Sequence, residues 1–212
     1  MTIIIFRNPK VPIMAGPSSR KELSHERIVD AAARAIRREG YAGVGVADVM
    51  KEAGLTHGGF YAHFPSREAL LAAAMERAGR DGAARMMKRM AERQAEGASP
   101  LRAWVETYLG DAHLTGCESG CPVSALASEI PRQSAEVREV SALRVRRLLD
   151  ALRQVLPPTA GEHAAVAVTS TLVGALQLAR ALGDNDEGRA VLASARQAIL
   201  EQYDHKDAAL ST

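Results

Sequence analysis

Two short runs in this chain hold side chains whose types and spacing could do chemistry. The first is Leu55 to Phe64, LTHGGFYAHF, where Thr56, His57, Tyr61 and His63 gather a hydroxyl, a phenol and two imidazoles. Such groups hydrogen-bond phosphate oxygens and base edges. The second is His113-x3-Cys117-x3-Cys121, with Glu118 between the cysteines. This run admits a thiol switch, in which Cys117 and Cys121 join or react with electrophiles. It also admits a metal site using His113 and Glu118, although C-x3-C with one histidine falls short of a four-ligand pattern. A structural or pocket-lining role is the third reading. Pro122 suits the first position of a helix, which puts Cys121 beside a helix N-terminus, where the dipole favours a thiolate. No GxSxG, HExxH or phosphate-loop pattern occurs, so no enzyme, cofactor or resident metal is expected.

The elements around the first run give it a purpose. Residues 24 to 39 place Ile28, Ala32, Ala35 and Ile36 on one helical face, with Ser24 expected as N-cap and Gly40 as stop. Residues 46 to 53 repeat the pattern with Val46, Val49, Met50 and Ala53. Gly54 can then take the positive φ of a sharp turn, Leu55 plugs the corner and Thr56 can cap the next helix. Phe60 and Phe64 face a small three-helix core, leaving His57, Gly58, Tyr61 and His63 outside. This is the second half of a helix-turn-helix, the unit that sets a helix into the DNA major groove. Gly58 and Gly59 weaken that helix by about 1 kcal/mol each relative to Ala. They serve either close approach to DNA or packing against the preceding helix.

Over Glu26 to Met75, and above all in GYAGVGVADVMKEAGLTHGGFYAHFPSREALLAAAM, the chain resembles the DNA-binding domain of TetR-type transcriptional repressors. The resemblance implies an all-α homodimer: a three-helix N-terminal DNA-binding domain, then a larger helical domain that dimerises and holds a small ligand that releases the DNA. It makes Tyr61 a phosphate contact and His63 its polar neighbour, with Thr56 and His57 facing the bases. Arg67 stands where the family usually has Lys. A cation at a helix N-terminus opposes the dipole, which favours a phosphate partner there. Gly45 departs from the family, where a Thr often caps the second helix and touches phosphate; backbone N–H groups are left to supply that contact.

The expected domains are an arm at 1–23, a DNA-binding domain at 24–70 and a ligand-binding and dimerisation domain at 71–212. Residues 1 to 97 carry 16 Lys+Arg and 11 Asp+Glu, against 11 and 14 in the remainder, so the basic half coincides with the DNA-reading half. Arg20 and Lys21 could add phosphate contacts from the arm, and Met14 is a possible alternative start. Only Ile3 to Phe6 reads as strand. With no signal peptide and no transmembrane run read, a cytoplasmic protein is expected, where a structural disulfide would not persist.

Further along, a helix runs from Ser66 to about Glu96. Another starts at Ser99-Pro100 and runs to about Leu114, carrying Trp104 and Tyr108 on one face as core or as a pocket wall. A short helix follows over Val123 to Glu129, then a long one over 134–156 whose arginines, Arg144 among them, read as a solvated face. The helix over 161–182 is uncharged from Ala164 to Ala179. With the helix over 187–203, it is expected to pair with its symmetry mates in a four-helix bundle. The expected function is a sequence-specific repressor released from a palindromic operator by a small molecule; a redox- or electrophile-sensing repressor acting through Cys117 and Cys121 is the alternative.

Overall fold

The computed structural model describes residues 19–204, all of whose regular elements are helical. The Ile3–Phe6 strand, Met14 and most of the expected arm lie outside that range. The first helix, α1, spans Arg20–Gly43, so residues 20–23, expected in a flexible arm, are helical. Its cap is Ser19, not Ser24. The Ser19 hydroxyl accepts the Glu22 N–H at 3.2 Å and the Glu22 carboxylate accepts the Ser19 N–H at 2.7 Å. This capping box satisfies two otherwise orphaned donors a turn earlier than the apolar periodicity begins. Gly40, at φ 74° and ψ 175°, leaves helical geometry where the stop was expected, and a short further helical stretch follows it to Gly43.

Helix α2 spans Val46–Glu52, and a 3-10 helix covers His57–Ala62. Helix α3 runs Arg67–Ala95 from its Ser66 cap. Ile28, Ala32, Ile36, Val49, Met50, Phe60, Phe64, Leu70 and Met75 close one core around these elements. That core extends along α3 to Ala78 and takes in Leu126 and Val137 from later in the chain. The expected boundary at residue 70 therefore falls inside a helix that both halves share.

The second core is built on α4 (Pro100–Tyr108), α5 (Asp111–Thr115), α7 (Ala135–Val155), α8 (Ala164–Leu182) and α9 (Asp186–Tyr203), while α6 (Pro122–Leu126) gives its Leu126 to the first core. The single helix expected from Ser99 to Leu114 is broken: Leu109 leaves helical geometry and Gly110 becomes the N-cap of α5. The break turns His113 and Leu114 inward, where both are buried. The α7 face is not wholly solvated either, because Arg144 is buried and donates to the Glu76 carbonyl at 3.0 Å. On α8, Val168, Leu172 and Leu176 face the core, while Val166, Leu178 and Leu182 are exposed.

Arg67 locks the first domain internally. Its Nε donates to the Val44 carbonyl at 3.2 Å and its Nη2 to the Tyr41 carbonyl, tying the start of α3 to the α1–α2 connection. Charge-assisted bonds to carbonyls that α1 leaves open contribute roughly 1–3 kcal/mol. Arg67→Ala is expected to lower unfolding free energy by about that amount with no DNA present, as measured by urea denaturation; an unchanged midpoint would show that the two bonds carry no stability.

Candidate nucleic-acid interface and effector cavity

The helix-turn-helix is assembled from backbone geometry and two aromatic anchors. Gly54 turns the corner at φ 70°, and the Leu55 N–H returns to the Met50 carbonyl at 2.9 Å. Phe60 is buried, and Phe64 stacks on it with centroids 5.8 Å apart. The next residue, Tyr61, meets Phe60 only edge-on at 5.2 Å and is 75% exposed, which rules out a core role for its ring. Thr56 occupies the N-cap position, but its hydroxyl makes no capping bond. Thr56, His57, Gly58 and Tyr61 thus share an exposed stretch.

Neither glycine is required by packing within the chain. A Cβ built at Gly58 meets nothing within 4 Å, whereas one at Gly59 comes within 3.7 Å of Met50 Cε. Packing inside the chain therefore gives no reason for glycine at 58.

Other predicted positions are placed less simply. Arg20 and Lys21 are exposed in the first turn of α1. Gly45 is the N-cap of α2 with no side-chain cap, and a Cβ there would lie 2.8 Å from an Asp48 carboxylate oxygen. Arg67 is turned onto its two carbonyls. His63 is half-buried with Nδ1 unpartnered, and its ring lies 6.0 Å from that of His25, which stacks on Phe64 at 4.6 Å. Burial, then the charges of His25 and Lys21, lower the His63 pKa. Periodicity gave no signal for His25, whose role appears only when α1 packs over the 3-10 helix.

A cleft enclosing about 890 Å³, its mouth included, opens between α3, α4, α7 and the 119–123 segment. Trp104 and Tyr108, members of the second core, also line it, together with Met86, Leu148, Ala151 and Cys121. Three buried donors or acceptors in its wall have no hydrogen-bond partner: Trp104 Nε1, Thr107 Oγ1 and the Tyr108 hydroxyl. Burial raises the Tyr108 pKa well above its ordinary value, so the phenol stays protonated. Unpartnered polar atoms in an otherwise apolar wall are groups that an occupant can satisfy.

The His113/Cys117/Cys121 run is split by its own bonds. Cys117 Sγ donates to the Arg37 carbonyl at 2.8 Å. His113 Nδ1 lies 2.8 Å from the Tyr108 carbonyl, and its Nε2 accepts the Cys121 backbone N–H at 2.9 Å. The ring is thereby fixed as the neutral Nδ1–H tautomer with both nitrogens engaged, which removes it as a metal ligand. Desolvation, then the charge of Arg180, pushes its pKa down to about 4. Arg37, which sequence reading passed over, is buried; its Nη1 donates to the Ala78 carbonyl at 3.3 Å and the Gly120 carbonyl at 3.4 Å.

A histidine held neutral has a defined pH signature. The unfolded chain takes up the proton near pH 6.5 and the folded chain only near 4, so this stabilisation is complete above the higher value and is lost as pH falls through the lower. Urea unfolding of the wild type should therefore lose about 2 kcal/mol more between pH 7 and pH 5 than that of His113→Phe; parallel pH dependence in the two proteins would refute the assignment.

Known proteins place this geometry. Residues 28–74 match the sequence model for bacterial regulatory proteins of the tetR family. An uncharacterized HTH-type transcriptional regulator of Mycobacterium tuberculosis, Rv0196, is 31% identical over 173 residues, covering 75% of this chain and 85% of that one. The HTH-type transcriptional regulator LmrA of Bacillus subtilis is 26% identical, covering 72% and 81%. Among solved structures, a TetR-family regulator from Agrobacterium tumefaciens superposes with a TM-score of 0.69 at 24% identity, covering 86% of this chain and 98% of its own. The reduced form of E. coli NemR also gives 0.69, at 20% identity, covering 85% and 97%; at these identities the likeness establishes the fold. On the sequence relationship, the helix-turn-helix match and the all-helical fold together, the chain belongs to the TetR family of DNA-binding transcriptional regulators.

Proposed function

We propose that the chain is a homodimeric repressor that holds a palindromic operator and lets go when a small molecule fills the cleft. The observation that carries the reading is the bonded connection between the two sites. Gly120 and Cys121 line the cleft, and the Gly120 carbonyl is held by Arg37 of α1, whose own carbonyl takes the Cys117 thiol. An occupant that displaces the 119–121 segment pulls on α1, and α1 carries the helix-turn-helix. Its differential affinity for the two arrangements is what weakens DNA binding.

In the dimer, the exposed Val166, Leu178 and Leu182 of α8 are covered by the symmetry mate, with α9 completing a four-helix bundle. Two recognition elements about 34–36 Å apart then meet successive major grooves. Tyr61, Arg20, Lys21 and the Gly45 N-terminus of α2 hold phosphates, while Thr56 and His57 face bases. Gly58 lets the backbone come close, and His63 is the neighbouring polar contact. Arg67 positions α3 and reaches phosphate only by releasing its carbonyls. The protein acts in the cytoplasm and performs no catalysis.

A second reading is favoured by one observation: Cys121 lines the cleft as a free thiol. Under it, Cys121 and Cys117 sense an electrophile or oxidant, and one structural relative, NemR, is described in a reduced form. Operator affinity that falls with oxidant in the wild type but not in Cys121→Ser would favour this reading over reversible occupancy.

Selection of bound duplexes from a random pool should enrich a palindrome. On that site Tyr61→Phe and His57→Ala are each expected to weaken binding about 10-fold, roughly 1–3 kcal/mol per lost contact. Gly58→Ala should weaken it without lowering the melting temperature, since a Cβ there meets nothing in the chain and Ala favours the helix. No enriched sequence, or a Gly58→Ala variant with full affinity, would count against the reading of this interface.

A further inference from the structure

The geometry points to an organic carboxylate with an apolar body as the occupant of the cleft, an assignment that rests on the cleft being the effector site. Every formally charged side chain in the wall is an arginine: Arg85 and Arg89 from α3, Arg144 and Arg147 from α7. No Asp or Glu lines it.

The four cations are not equivalent. Arg85 is occupied, its Nε and Nη2 both donating to the Ser119 carbonyl at 3.0 and 2.8 Å. Arg144 is only 8% exposed, yet it forms a single hydrogen bond, to a neutral carbonyl. Gly79 makes room for it, since a Cβ there would collide with the guanidinium. Arg89 and Arg147 have neither a hydrogen bond nor an ion pair among the described residues.

Nearby carboxylates are directed elsewhere. Asp81 pairs with Arg77 at 3.7 Å and Asp150 with Arg153 at 2.5 Å. Glu76 is exposed; its backbone carbonyl meets Arg144, and its carboxylate contributes charge there but no hydrogen bond or ion pair among the described residues.

A guanidinium buried without a counter-ion is strongly disfavoured, and a planar carboxylate matches its fork of donors in two parallel bonds. Arg144 and Arg147, three apart on α7, and Arg89 of α3 all line the cleft. The apolar body then lies along Met86, Trp104, Leu148 and Ala151, and the unpartnered Trp104 and Tyr108 polar atoms satisfy a further polar substituent. A cationic ligand would meet four like charges, and a neutral one would leave Arg144 as it is.

The test compares three probes of one shape in titration calorimetry with the full chain: 2-naphthoate, 2-naphthamide and 2-naphthylmethylammonium. The acid is expected to bind at least 10-fold more tightly than the amide, and the ammonium more weakly than either. Arg147→Gln, a change at an exposed residue, should reduce the acid's advantage several-fold and leave amide affinity unchanged; Arg144→Gln should do the same where it folds. Trp104→Ala should reduce binding of all probes. Equal affinity for acid and amide, or preference for the ammonium, overturns the charge assignment while leaving the cleft as a binding site. No Trp104-dependent heat from any probe overturns both the charge assignment and the effector-site reading.

Discussion

The relation between the DNA-reading unit and the rest of the chain depends on one buried cation. Arg37 lies near the C-terminal end of α1, only 4% exposed, and one nitrogen reaches two carbonyls at once: Ala78 of α3 and Gly120 of the segment before α6. Burial lowers its pKa to about 10, which still leaves it charged at neutral pH. Both bonds are long, yet a buried charge makes losing either acceptor costly. Its backbone carbonyl is used as well, by the Cys117 thiol. The loop that follows α5 is thus bonded to α1 through both the side chain and the main chain of one residue.

Around this bond, packing and hydrogen bonding act in the same direction. Tyr41 donates its N–H to Glu129 at 2.9 Å, and its phenol meets the Ser141 hydroxyl at 3.1 Å, so α1 is also fixed to the start of α7. Helix α3 passes through both cores, contributing Leu70 to Ala78 to one and Met90 to the other. Small residues in α1, Ala31, Ala32 and Ala35, let α3 approach closely. The two cores are therefore joined through a helix common to both, not through a flexible linker.

Much of this was legible in the order of residues. The period of Ile28, Ala32 and Ile36, the turn at Gly54 and the Phe60/Phe64 pair are local signals, and they place the helix-turn-helix to within a few residues. Ser19-Arg20-Lys21-Glu22 was a readable capping box, overlooked because the apolar repeat begins later and Ser24 stood nearer to it. The Trp104–Tyr108 face was also legible, since one helical turn fixes it. What could not be read is whatever requires distant segments to meet. The break at Leu109 and Gly110, the burial of Arg144 beneath Gly79, and the bonds from Arg67, His113 and Cys117 to particular carbonyls are set by tertiary contact, and side-chain type alone says nothing of them.

Trp104 is the single tryptophan in 212 residues, and it stands in the wall of the cleft with its indole N–H unpaired. Indole emission from the whole protein therefore originates at one place, beside the guanidinium groups and the protonated Tyr108 phenol. Its colour and intensity follow the polarity and wetness of that place alone. The molecule carries its own optical gauge of whether the cleft is full, and no dye has to be attached to read it.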